Sequence, residues 1–165
     1  MRRTLSLIGL AVSLLAATAH AGGAGPKWQG WDSGLRTAVR TQRPVLVDVY
    51  TDWCGWCRRM ERDVYTRDDV RDYLSRRFVV VKLDAEAKDE ASYEGKMYTS
   101  RSLAERFRVT GYPTTIFLRA NGEHLVNVPG YVPADRFLQL LRYVGDGAMD
   151  RGQSFDDFVK RDAAP

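Results

Sequence analysis

Residues Tyr50–Met60 read YTDWCGWCRRM and hold both cysteines of the 165-residue chain, Cys54 and Cys57, with Gly55 and Trp56 between them. Two cysteines at this spacing serve as a redox-active dithiol, as half of a metal site, or as a small covalent staple. The flanking elements bear on the choice. Upstream, PVLVDVY (44–50) is a β-branched apolar run bounded by a proline, which predicts a buried central strand with one discordant residue, Asp48. Downstream, a helix is expected from close to Cys54 through Met60 to about Asp63. The cysteine pair therefore stands where a buried strand gives way to a helix.

That position has chemical consequences. A helix N-terminus presents unsatisfied N–H groups and a partial positive charge. A thiolate placed there is stabilised, and C-x-x-C thiols fall well below the free value of about 8.5. A drop to about 7 corresponds to roughly 2 kcal/mol in favour of the anion. Arg58 and Arg59 add to the effect. The three-residue spacing keeps both sulfurs on one side of the helix, within bonding reach. One thiol can then attack a partner disulfide and the other can resolve the mixed disulfide. Asp48 fits the same scheme. A carboxyl inside an apolar strand is costly to ionise, so its pKa rises, which suits it to accept the proton of Cys57. The plainer alternative is a hydrogen-bonded structural aspartate.

The other two chemistries are weaker on counting. A closed zinc site needs four Cys or His ligands, usually as two pairs, and the chain has two cysteines and two histidines, His20 and His124. A two-thiolate copper(I) site stays formally open, because soft thiolates select that ion. A staple across two intervening residues closes the kind of loop that stabilises least. A domain of this size also holds its own core without one.

The first residues read as an address. Arg2 and Arg3 precede the apolar run LSLIGLAVSLLAATA, and Ala19-His20-Ala21 supplies a small-residue cleavage pattern. This is the layout of a secretory signal peptide over residues 1–21, with cleavage after Ala21. The apolar run is shorter than the roughly 20 residues of a membrane-spanning helix. The expected location is the periplasm, with no membrane-embedded segment after cleavage. In an oxidising compartment a cysteine pair normally forms a disulfide. The formal net charge of +4 is spread among mixed charges, with no basic run that reads as a nucleic-acid patch.

Further along, Trp28 and Trp31 read as core-packing residues. Asp32 or Ser33 can cap a helix carrying Leu35, Ala38 and Val39 that ends at Arg43-Pro44. A second helical piece follows at about Asp68–Ser75, and FVVVKLD (78–84) is the next buried strand. Residues 85–101, polar and without a clean period, read as an inserted, poorly regular loop. SLAERFRV begins a short helix at Ser102. TTIFL and HLVNV form a hairpin across Ala120–Glu123, and Gly130 ends its second strand. PADRFLQLLRYVG is an amphipathic helix with Pro133 in its first turn and Gly145 past its end. SFDDFVKR, capped by Ser154, is a small helix in an extension over 146–165. The early alternation argues a parallel β-α-β unit, and the late turn adds an antiparallel hairpin to the same sheet.

Three stretches in this order resemble thioredoxins. VDVYTDWCGWC (47–57) resembles their active-site strand and turn. TGYPTTIFLRANGE (110–123) resembles their cis-proline segment with the following strand and turn. VPGYVPADRFLQLL (128–141) resembles their closing strand and last helix. The resemblance covers about residues 30–145 and implies an α/β thioredoxin fold, a central mixed sheet flanked by helices, over a domain spanning 22–145. The leader, the RMERDVY continuation and the 85–101 insertion resemble exported thioredoxin-like proteins, and Tyr93–Tyr143 resembles the thioredoxin encoded with sulfur-oxidation systems.

The resemblance implies roles by position. Cys54 is the exposed attacking cysteine, Cys57 the buried resolving one, and Asp48 the buried acid beneath them. Trp53, Tyr112, Pro113 and Thr114 are implied to bind substrate, and Trp56, outside the family pattern, reads equally as a docking surface for a partner or as a residue that tunes the pair. Pro113 matches a cis-proline facing the disulfide, and Gly130 a glycine near the substrate groove. No metal and no cofactor are implied. The implied partners are protein disulfides and a membrane thiol donor of electrons. The chain departs from thioredoxins in carrying Gly-Trp rather than Gly-Pro between the cysteines, and this pair tunes the potential. Asp48, and the lack of histidine between the cysteines, favour a disulfide reductase. A dithiol oxidase or isomerase is the alternative within the same chemistry. A binding module on the same fold, such as a copper(I) carrier or an adaptor, is the alternative outside it.

Overall fold

The computed structural model describes residues 25–162, so the leader expected over 1–21 lies outside the described residues. The described chain runs α1 (Trp31–Thr41), β1 (Val45–Tyr50), α2 (Gly55–Met60), a π-helical turn (Glu61–Tyr65), α3 (Asp68–Arg77), β2 (Val79–Asp84), β3 (Glu90–Tyr93), β4 (Lys96–Thr99), α4 (Ser100–Arg106), β5 (Thr114–Leu118), β6 (His124–Pro129), α5 (Ala134–Gly145) and α6 (Phe155–Asp162).

The main sheet has the order β2-β1-β5-β6. β1 pairs parallel with β2 and antiparallel with β5, and β5 pairs antiparallel with β6. The β-branched run Val45–Tyr50 thus lies in the interior of the sheet, as its unbroken apolar pattern requires. Alternate β1 side chains feed two cores. Val45, Val47 and Val49 face a cluster with Trp31, Val81, Leu103 and Ile116. Leu46 faces a cluster with Met60, Tyr65, Leu74, Phe117, Phe137 and Leu141. Asp48 lies on the Leu46 face, beneath α2, because side chains alternate along a strand.

Several element boundaries differ from the sequence reading. α1 starts at Trp31 behind Gly30 rather than behind Asp32 or Ser33. The Asp32 carboxylate is used elsewhere, accepting the Ser92 N–H at 2.9 Å and so tying α1 to β3. Val39 is exposed, while Ala38 is buried. The helix after the cysteines continues past Asp63 as the π-helical turn to Tyr65. α4 starts at Ser100, because Thr99 caps it and forms a reciprocal capping box with Ser102. Pro133 is the residue before α5, and Gly145 is the last residue inside it.

The largest correction concerns 85–101. The segment contains a hairpin, β3–β4, rather than an irregular loop. Glu94 and Gly95 both take left-handed backbone angles, φ 50° and 74°, as a two-residue primed turn demands. Ala91 and Tyr93 are buried and their neighbours exposed, so the strand has a period of two within only four residues. Tyr93 stacks on Trp31 and Phe107 at ring distances of 5.7 and 5.0 Å, and its hydroxyl donates to the Gly122 carbonyl.

α6 forms where SFDDFVKR predicts a helix. Ser154 Oγ accepts the Asp157 N–H, and Phe155 and Phe158 pack on Tyr143 of α5. Among the described residues no helix is long and apolar enough to cross a membrane.

Candidate active site

β1 ends at Tyr50, and the turn that follows delivers Cys54 as the N-cap of α2. Cys54 and Cys57 form a disulfide with their Cα atoms 5.3 Å apart. Cys54 Sγ accepts the Cys57 N–H at 3.0 Å. A negative charge on Cys54 would therefore be held by an N–H of the first helical turn, where the peptide dipoles favour an anion. The sequence reading makes Cys54 the exposed member of the pair. In the disulfide the two are buried alike, at 4 and 8 % exposure, because the bond and this N–H draw the Cys54 sulfur into the turn.

On the face of β1 that Met60 of α2 covers lies a buried polar floor. Asp48 is 2 % exposed. Its Oδ2 is 2.9 Å from Lys82 Nζ, and its Oδ1 accepts the Tyr65 hydroxyl at 3.2 Å. Lys82 Nζ also reaches Glu61 Oε2 at 2.7 Å. The π-helical turn supplies both Glu61 and Tyr65, four residues apart and on one face. Burial pushes the Asp48 carboxyl above the ordinary carboxylate range. The Lys82 charge and the hydrogen bonds from Lys82 and Tyr65 oppose that rise without cancelling it, and Glu61 adds to it. Burial pulls Lys82 down, but Asp48 and Glu61 outweigh it, so the ammonium stays charged. Burial, reinforced by Asp48, holds the Tyr65 hydroxyl well above its usual range.

Around the pair stands an aromatic rim. Trp53 is 63 % exposed and meets Tyr112 edge-on at 5.9 Å. Trp56 is 54 % exposed and lies 5.5 Å from Tyr131, with the Arg59 guanidinium 5.2 Å from each ring. The Tyr112–Pro113 peptide is cis. The Pro113 carbonyl accepts the Gly130 N–H at 2.7 Å, and Gly130 takes φ 83°, an angle that selects glycine. Thr114 is buried, with its hydroxyl donating to the Gly111 carbonyl at 2.8 Å. Its side chain supports the rim and is not part of its surface. Among the described residues, no group of three or more His, Cys, Asp or Glu side chains converges as a metal site would require.

Comparison with known proteins accords with this geometry. A family model described as a thioredoxin-like domain matches residues 31–145. The chain belongs to the thioredoxin-like family. This thioredoxin-like chain is similar to the thiol:disulfide interchange protein DsbD of Ralstonia nicotianae, with 38% identity over 112 residues, 67% of this chain and 17% of the relative. It is also similar to the disulfide bond reductase DsbH of Chlamydia pneumoniae, with 23% identity over 108 residues, 65% of this chain and 64% of the relative. It therefore spans about a sixth of the DsbD relative and just under two thirds of the DsbH relative. Among solved structures, a thioredoxin from Thermus thermophilus superposes with a TM-score of 0.63 at 28% identity, covering 79% of this chain and 95% of that one. The sheet order and flanking helices are those of the thioredoxin fold.

Sequence reasoning about this thioredoxin-like chain missed Lys82, Glu61, Tyr65, Tyr131 and the placement of Trp28. Lys82 had a signal. It is the one cation inside FVVVKLD, as Asp48 is the one acid inside PVLVDVY, and parallel pairing sets the two directly opposite. Tyr65 and Glu61 had none, because their convergence depends on how the helix runs on from the cysteines.

Proposed function

We propose that this protein is an exported, periplasmic thiol–disulfide oxidoreductase that works chiefly as a reductase of protein disulfides. One observation carries the reading: a C-x-x-C disulfide caps a helix at the end of a central strand that also carries a buried carboxyl, Asp48, whose pKa burial raises. The leader pattern at residues 1–21 supports export, and the domain over 22–145 is the reacting unit, with 146–165 an extension of it.

In the reduced protein the Cys54 thiolate attacks one sulfur of a partner disulfide. The partner's other sulfur leaves as a thiolate and takes up a proton. Cys57 then gives its proton to the Asp48 carboxylate and attacks Cys54 Sγ. The partner's second sulfur leaves as a thiolate and takes up a proton, Asp48 releases the one it accepted, and the Cys54–Cys57 disulfide remains. Two electrons pass to the partner, so a dithiol donor, for which a membrane thiol transporter is the natural source in an oxidising compartment, must restore the pair. Trp53 and Trp56 present apolar surface to the partner chain. Tyr112, Pro113 and Thr114 present the backbone against which it lies.

The test is equilibration of the purified protein against dithiothreitol and glutathione. A potential near −270 mV, that of thioredoxin, is the expected result, whereas one near −120 mV would make the protein an oxidant. Cys57→Ser should trap a mixed disulfide with its partner, and Cys54→Ser should be inert. A pair that does not exchange at all would sink the enzyme reading.

A further inference from the structure

The residues before α1 reach the buried floor of the site. The Gln29 N–H donates to the Val80 carbonyl at 2.9 Å, and the Gln29 carbonyl accepts the Lys82 N–H at 3.0 Å, forming a parallel bridge opposite Val81. This stitch holds Trp28, the preceding residue, against the Lys82 side chain. Lys82 Nζ lies 4.8 Å from the Trp28 ring and 4.8 Å from the Tyr50 ring, in addition to its contacts with Asp48 and Glu61. The ammonium thus has two carboxylates and two aromatic faces as neighbours, and the Lys82 side chain keeps 27 % exposure. Trp28 also meets Tyr65 edge-on at 4.9 Å, and Tyr65 is the residue whose hydroxyl holds Asp48. One indole therefore touches both of the groups that fix the Asp48 carboxyl.

We propose that Trp28 is the water shield of the Asp48–Lys82 pair, a positioning residue that makes the segment before α1 part of the redox site. Its effect on turnover rests on the oxidoreductase reading above, but its effect on Asp48 does not. Packing on Tyr65 alone would be a structural task. Contact with the Lys82 ammonium as well means that removing the ring opens a further side of an ion pair whose carboxyl end is sealed, at 3 % exposure, while its ammonium end is already 27 % exposed. Burial is the largest influence on Asp48, so wetting the pair lowers its midpoint. Loss of Lys82 would raise it, because the cation favours the carboxylate. The two effects have opposite signs, which separates a shield from an anchor.

The experiment is a pH titration of the Asp48 carboxyl carbon by NMR in the oxidised protein, where the disulfide leaves neither cysteine to titrate. The ionisable groups facing Asp48 are then Lys82 from β2, Tyr50 from β1, and Glu61 and Tyr65 from the π-helical turn. Trp28→Ala should lower the midpoint by about half to one pH unit. Trp28→Phe, which keeps an aromatic face, should stay close to wild type, and Lys82→Met should raise the midpoint. An unmoved midpoint in Trp28→Ala, or a rise like that of Lys82→Met, overturns the proposal. If Trp28→Ala does not fold, Trp28→Val is judged by the same criteria. In the second arm, the pH profile of exchange with dithiothreitol should move in the same direction. A wild-type protein that exchanges with no thiol would remove the enzyme reading while leaving the titration to decide the shield.

Discussion

The rim and the floor of the site are built from opposite materials. The rim is exposed aromatic surface, Trp53 and Trp56 above all, held by ring-to-ring contacts with Tyr112 and Tyr131. The floor is buried charge, Asp48 against Lys82, closed by Glu61, Tyr65 and Trp28. An exposed tryptophan contributes little to the fold and leaves apolar surface open to a partner chain. A buried carboxyl costs the fold and is tolerable only with partners, and under the proposed function its task is to hold or release a proton. The rim should govern which partner reacts, and the floor how fast the proton moves.

The sharpest way to break this division is Asp48→Asn. Exchange at neutral pH should slow by about a hundredfold, the usual scale for removing a positioned base. The same variant should also gain stability. Folding raises the Asp48 pKa, so the stability linked to this proton is fully present below the ordinary value of about 3.9 and is lost as pH rises through the raised value. Urea unfolding across pH should show that decline in wild type and its absence in Asp48→Asn. A variant less stable than wild type at pH 7 would mean that the ion pair with Lys82 outweighs burial.

A smaller effect tests the rim. Trp53→Ala and Trp56→Ala should each slow reduction of a protein disulfide about three- to tenfold and leave exchange with dithiothreitol unchanged. Their unfolding free energies should stay within about 0.5 kcal/mol of wild type, as expected of exposed side chains. Equal losses with dithiothreitol and protein would move these residues from recognition into the chemistry. The smallest expected effect is that of Tyr65→Phe. It removes one hydrogen bond to the carboxylate, so it should raise the Asp48 midpoint and cost about 1 kcal/mol of stability.

The 85–101 segment marks where sequence reading ran out. Its hairpin rests on two buried side chains, Ala91 and Tyr93, and on a turn whose first residue is Glu94. Four-residue strands carry too little alternation to stand above their polar neighbours, and glutamate is not a residue that announces a left-handed turn. The partners of Tyr93 are scattered along the chain, Trp31 on one side in sequence and Phe107 and Gly122 on the other.

By itself, the sequence determined the order of the main strands and helices, the parallel unit followed by a hairpin, and the place of Cys54, Cys57 and Asp48 along one strand–helix junction. These follow from local patterns: β-branched runs, capping residues, turn residues and the three-residue cysteine spacing. Only the tertiary structure decided what surrounds Asp48. Lys82, Glu61, Tyr65 and Trp28 come from three separate elements, and their convergence depends on strand register, on the π-helical turn and on the Gln29 bridge. A buried charge takes its properties from its neighbours in space, and the chain brings those neighbours together only when the sheet has formed.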